Sequence, residues 1–324
     1  MDTSDNCRVA SIFNEMQSDY DDLRDLWYSW LFARLHYFLA EDIAWRLNSN
    51  NLKVLDVGCG TGFQSMLYAA IGCDVLGIDI AGDLVKEARK KPVPDLNGKK
   101  PKLHPLYYDF SRRYNAATWA LLREKFHDVR PAIPPRFEVA SALEIPSEAA
   151  AFDHVNCCGS VLSFMPDMQV ALNEISRVLK PGGTFFIELE GRWNADAFWP
   201  LIDCLLGGKI GYDSSYKEAF ELLRPPFQAG VNTEYPFGDT RNPVYMSLRL
   251  ATRRETDRKL RGAGLIADRW RFIHAFTNLI PSTLLDHPNP STSLVKVFSF
   301  LSSIEEKVPG YWPGCSIVVS GRKV

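Results

Sequence analysis

Between positions 19 and 47 the apolar residues return at intervals of three and four. Leu23, Leu26, Trp27, Trp30 and Leu31 fall on one face, which predicts one or two helices ended by the polar run Asn48-Ser49-Asn50-Asn51. Leu52 to Val57 then reads as a compact strand running into glycines, Phe63 to Ala70 as a helix, and Cys73 to Asp79 as a second strand. Strand, glycine turn, helix and strand in that order make a βαβ unit.

The helix from Gly82 to about Lys91 is followed by a polar, proline-punctuated stretch, 92–135, which contains a helical pattern at Ala116 to Phe126 and reads as an insertion. Alternation resumes with strands at Arg136 to Val139 and Phe152 to Cys157 and an amphipathic helix from Met168 to Leu179. Lys180-Pro181-Gly182-Gly183 stops that helix before a strand at Thr184 to Leu189. Residues 191–246, rich in tryptophan, glycine and proline, read as a second insertion. Beyond them come a short strand near Leu248, a charged helix at Arg253 to Arg261, a strand at Ile266 to Ile273, a helix at Ser293 to Lys307 and a last strand at Cys315 to Ser320. The expected fold is α/β: a doubly wound, mostly parallel, seven-stranded sheet with an antiparallel last strand, an N-terminal helical cap and two insertions. The expected parts are a cap at 1–50, a ligand-binding core at 51–190, an acceptor-covering lid at 191–246 and the rest of the sheet at 247–324.

The glycine turn carries the chemistry. Gly58, Gly60 and Gly62 stand where the first strand becomes a helix, and without side chains they let backbone N–H groups approach a ligand. A nicotinamide fingerprint needs G-x-G-x-x-G, whose third glycine would fall on Phe63. Asp56 would also sit near a pyrophosphate and be repelled by it. S-adenosylmethionine has no phosphate but carries an ammonium and a sulfonium, which a carboxylate favours. Asp79, 17 residues after Gly62, ends the second strand where a carboxylate accepts from both ribose hydroxyls, or else caps the next helix.

The segment Val54 to Gly62 together with Asp79 resembles the first motifs of class I, Rossmann-like S-adenosylmethionine-dependent methyltransferases. The likeness continues through Ala140 to Pro146, similar to the family's adenine-binding segment with Ser141 where aspartate is common, and through Phe152 to Asp167 and Leu179 to Gly183. It implies S-adenosylmethionine as cofactor, held by Asp56, Gly58, Cys59, Gly60, Gly62, Asp79, Ile80, Ser141, Ala142, Leu143 and Cys158. The acceptor is expected to be a small molecule offering oxygen, nitrogen or carbon. The Asn/Asp-Pro-Pro-Tyr signature of amino-nitrogen methylation is absent after the fourth strand. An aminopropyl transferase, a non-catalytic cofactor binder acting through a partner and a dehydrogenase are the alternatives.

Outside the motifs, Arg34 on the apolar helix face is a candidate for the cofactor's carboxylate or for a local ion pair. Tyr20, Trp27 and Trp193 are candidates for an aromatic acceptor pocket, or for packing the caps onto the core. Glu188 and Glu190 are read as pointing to opposite sides of their strand, so that one, Glu190, faces the cleft. The 324 residues carry a net charge of −2 with no basic patch, which argues against a nucleic-acid partner. No apolar run reaches membrane-spanning length, and no export signal is read at the N-terminus. Seven cysteines without paired zinc spacing fit reduced thiols in the cytoplasm, and no metal is expected. Oligomeric state is open.

Overall fold

The computed structural model describes residues 3–15, 20–22, 24–47, 51–98, 102–128, 133–165, 167–212, 214–237, 244–308 and 313–324. Leu23 and the polar break at 48–50 therefore lie outside the described residues. The N-terminal helices are α1 (Thr3–Glu15) and α2 (Leu26–Arg46). Asp25 starts α2 by accepting the Tyr28 N–H at 2.7 Å, an N-cap that satisfies one free donor of the first turn.

The core follows in the order β1 (Lys53–Val57), α3 (Phe63–Ala70), β2 (Asp74–Asp79), α4 (Gly82–Ala88), α5 (Asp109–Phe126), β3 (Arg136–Val139), β4 (Phe152–Cys157), α6 (Met168–Val178) and β5 (Leu179–Glu190). Beyond it lie α7 (Trp199–Leu205), α8 (Tyr216–Leu223), β6 (Val231–Phe237), β7 (Val244–Leu250), α9 (Arg253–Gly262), β8 (Leu265–Ile273), α10 (Ser282–Leu285), α11 (Thr292–Lys307) and β9 (Ser316–Lys323). Seven strands form one sheet in the order β3-β2-β1-β4-β5-β9-β8. The first five run parallel, and β9 pairs antiparallel with both β5 and β8. Strand order reverses between β1 and β4, which opens a crevice at their carboxyl ends.

Val54, Leu55 and Val57 of β1 are buried, as a central parallel strand covered on both faces requires. One apolar layer lies under α2, α3 and α5, with Trp30 and Trp119 at its centre; the other lies under α6 and α9. No helix among the described residues is long and apolar enough to cross a membrane.

Three expectations need correction. The strand near Leu248 is not part of the main sheet: β7 pairs with β6 in a separate two-stranded sheet, so the excursion after β5 runs through Leu250 and the boundary at 246 falls inside a hairpin. The helix in the 92–135 insertion starts at Asp109, because Phe110 and Tyr114 also pack on α2. α6 does stop before Lys180, but β5 starts at Leu179 rather than Thr184: Leu179 pairs with Phe152, and Lys180 to Gly183 bulge out of register before Thr184 pairs with His154.

Candidate functional site

The glycine turn closes β1 in backbone that side chains resist. Gly58, Gly60 and Gly62 all have positive φ, at 69°, 51° and 85°. A Cβ on Gly58 would overlap the Val161 side chain, and one on Gly60 would meet the Tyr20 hydroxyl at 3.4 Å. Asp79, at the end of the neighbouring strand, accepts the Gly60 N–H and the Ala81 N–H, each at 2.8 Å. One carboxylate thus both shapes the turn and starts α4.

Of these groups Tyr20, Gly58 and Asp79 line a cleft with Ile80, Leu84, Ala140, Ala142, Gly159, Val161, Phe164 and Met165. Its apolar walls and carboxylate suit a nucleoside, and among the described residues no Lys or Arg lines it for a phosphate. Its free volume is only about 60 Å³, because Val9 and Phe13 of α1 and the Tyr20 ring stand inside it. Phe13 packs edge-on against both Tyr20 and Phe164. Asn14 holds α1 down by accepting the Asp83 N–H, and Asp21 joins the turn through the Thr61 hydroxyl at 2.6 Å and Lys91.

Asp56 does not reach the cleft. It is buried beneath it, accepting the Ser65 hydroxyl at 2.5 Å and the Asn156 amide at 2.7 Å, and so ties α3 and β4 to β1. Burial pushes its carboxyl up to about 6 against those two donors. The Cys59 side chain packs with Met66, Val85, Ala88 and Phe137, and Cys158 contacts the Asn156 side-chain oxygen within the core. The Ser141 hydroxyl accepts the Leu143 N–H, a local turn bond, while half-buried Leu143 packs on the core; Ala142 lines the cleft. Arg34 is not brought to the turn: its guanidinium bonds the Tyr114 hydroxyl and lies against the rings of Trp30, Phe38 and Tyr114.

Past the cleft, the loop after β4 is held by β5. Glu188 accepts the Gly159 and Ser160 N–H groups at 3.0 and 2.7 Å, and Glu190 accepts the Ser160 hydroxyl at 2.7 Å. Both carboxylates meet at Ser160, which corrects the expectation of opposite sides: residues two apart on a strand share a face. Burial, and then the charge of Glu188, push Glu190 up to about 7. Tyr28, near the start of α2, has its hydroxyl pushed well up, by burial first and then by the charges of Asp286, Asp25 and Glu190. Asp286 follows α10 and is exposed to solvent.

Trp27 stacks on His274 with ring centroids 3.9 Å apart, and burial pushes that histidine down to about 3, leaving it neutral. Trp193 faces elsewhere. It stacks on Phe227, donates to the Phe227 carbonyl and lines a groove with Arg253 and Trp270. Sequence reasoning missed Phe13, Asp25, Asp196 and Asp286. Asp25, preceding a strong helical pattern, was open to recognition as an N-cap; the others carried no local signal.

Two methyltransferase-domain family models match, over residues 54–104 and 107–187. Among curated relatives, a protein named ubiquinone biosynthesis O-methyltransferase from Xanthomonas oryzae pv. oryzae is 28% identical over 49% of this chain and 50% of its own length. The chain thus spans about half of that relative. The protein of the same name from Xanthomonas axonopodis pv. citri is 28% identical over 69% of this chain and 79% of its own. A Listeria monocytogenes structure described as a putative S-adenosylmethionine-dependent methyltransferase shares the fold at a TM-score of 0.50 and 15% identity, covering 90% of this chain and 98% of that one. Glycine turn, Asp79, sheet order and matched domains agree, and over the matched residues the chain carries a class I S-adenosylmethionine-dependent methyltransferase domain.

Proposed function

We propose that this chain transfers the methyl group of S-adenosylmethionine to an oxygen, nitrogen or carbon nucleophile of a small molecule. The observation that carries the reading is the cleft itself: Gly58 of the glycine turn and Asp79 at the end of β2 meet the apolar walls of Ile80, Ala142 and Val161 at the carboxyl edge of the parallel strands. When bound, S-adenosylmethionine supplies an activated methyl group on sulfur. The chain's part is then to align and enclose. Asp79 orients the ribose, Ala142 and Ile80 wall the adenine, and the acceptor is held beside the methyl, where alignment alone supplies much of the rate. α1 and Tyr20 close over the cleft and exclude water.

The relatives named for O-methyl transfer support the reaction class. In this reading the N-terminal helices and the excursion after β5 form the acceptor side, through Asp25, Trp27 and Tyr28 on one hand and Asp196 and Tyr212 on the other. A reducing, cytoplasmic setting belongs to the same reading, supported by six free thiols among the described residues. Transfer of label from methyl-labelled S-adenosylmethionine into a small-molecule extract tests it. Binding of S-adenosylhomocysteine without any transfer would instead leave a cofactor-binding protein.

A further inference from the structure

A second cavity, of about 750 Å³, lies along the edge strand β8 between α2, α5 and the end of α11, and among the described residues it shares no lining residue with the cofactor cleft. Arg34, Tyr37, Phe38 and Glu41 reach it together, because positions three, four and seven apart share one face of α2. Arginines dominate its charge: Arg34, Arg113, Arg253, Arg269 and Arg271 all line it. The carboxylates beside them do not answer that charge. Arg113 pairs with Glu306 at 2.5 Å, but Arg269 and Arg271 share Glu41, at 3.8 and 2.6 Å. Asp268 is taken by Arg46 and Arg322, which lie outside the lining, and Glu305 accepts the Trp30 indole and the N–H groups of His274, Phe276 and Thr277. Among the described residues Arg34 forms no ion pair, and its buried Nε has no hydrogen-bond partner.

Contacts tie three of these guanidiniums into one group. Arg34 and Arg271 both lie against the Phe38 ring, 4.4 and 4.7 Å from its centroid, and Glu41 joins Arg271 to Arg269. Three positive charges therefore meet one carboxylate. Burial first, and then the charges of Arg269 and Arg34, push Arg271 down to about 10 against the pull of Glu41. A ring contact uses the flat face of a guanidinium and leaves in-plane N–H groups to fork onto oxygen. We propose that this cavity binds a small organic phosphate, its oxygens received by Arg34, Arg269 and Arg271 and its organic part lying on the apolar wall of Phe272, Phe276 and Val308. A phosphate monoester is close to a dianion at neutral pH, which matches the two charges in excess, and its three free oxygens suit several forks at once. A neutral molecule would leave the like charges unrelieved. The site stands apart from the methyl-transfer reading and does not depend on it.

The test titrates the full chain by calorimetry, just above neutral pH, with three probes of one shape: phenyl phosphate, phenyl sulfate and benzyl alcohol. Phenyl phosphate is expected to bind at least about tenfold more tightly than the singly charged sulfate, and the alcohol not to bind. Excess S-adenosylhomocysteine should leave phenyl phosphate affinity within about twofold, since the two sites share no residue. Arg34→Lys keeps the charge but loses the fork, and should weaken phenyl phosphate about fivefold or more. Arg269 is exposed, so Arg269→Gln leaves the fold intact and should cost about the same factor. Lys86→Gln, on the exposed face of α4, removes an equal charge elsewhere and should change affinity by less than about twofold. No phenyl phosphate binding below about 10 mM, its displacement by S-adenosylhomocysteine, or binding that Arg269→Gln leaves unchanged overturns the site. An equal loss in Lys86→Gln overturns it as well, because the attraction would then belong to the whole surface.

Discussion

The Tyr20 hydroxyl lies 3.4 Å from the point where a side chain on Gly60 would begin, so the ring closes the cleft directly over the glycine turn. Gly60→Val therefore carries two penalties, a branched residue at positive φ and a clash with the closing ring. Loss of S-adenosylhomocysteine binding with an unchanged far-ultraviolet circular dichroism spectrum is the expected result. Retained binding would remove the turn from the site.

Asp79→Ala is expected to weaken S-adenosylhomocysteine binding by about 2–4 kcal/mol, through loss of charge-assisted bonds to the ribose. Its two backbone partners, Gly60 and Ala81, would be left without an acceptor, so a lower melting temperature should accompany the loss. Calorimetric titration checks the first effect and thermal unfolding the second. Undiminished affinity would show that the nucleoside lies elsewhere.

The position of Glu190 sets a pH dependence. Its carboxyl titrates near 7 in the folded chain, against about 4.3 unfolded, so folding favours the protonated form. That contribution is complete below about pH 4 and is lost as pH rises through 7. Glu190→Gln carries no such titration. Its melting temperature relative to the parent should rise steadily between pH 5 and 8, and a flat difference would mean that Glu190 is ionised throughout.

Trp27 and Trp193 separate the two sides of the molecule. Trp27→Ala removes the ring stacked on His274 near the start of α2 and should lower methyl transfer more than cofactor affinity. Trp193→Ala removes a stack with Phe227 in a different groove and should leave both within about twofold while costing stability. Steady-state kinetics of the two variants check this, and a transfer defect in the Trp193 variant would move the acceptor to that groove.

The half of the molecule built from local rules was legible in the sequence. β1, the glycine turn, α3 and β2 follow from an apolar run, three glycines and a 3.6-residue period, and the placement of Asp79 at a strand end follows with them. What packs against a helix face is a tertiary matter. Arg34 has the same periodicity whether it meets a ligand or, as here, the Tyr114 hydroxyl. Asp56 has the motif's position, but its side chain turns under the strand to Ser65 and Asn156. Trp193 follows β5 directly, yet the chain turns back to Ala251 at Arg192 and carries the ring to the other side. Asp286 comes to act on Tyr28 from nearly a hundred residues beyond Glu190, with no pattern to announce it.

The insertion of β9 between β5 and β8 orders events during synthesis. A chain leaving the ribosome can assemble β1 to β5 into the cofactor half as each strand emerges. β8 cannot dock then, because its place beside β5 belongs to a strand translated later. Until Ser316 to Lys323 emerges, β8 and the exposed edge of β5 both present unpaired backbone, an invitation to wrong pairings with other chains. The interval between translation of β8 and β9 is therefore when the nascent protein most needs a chaperone.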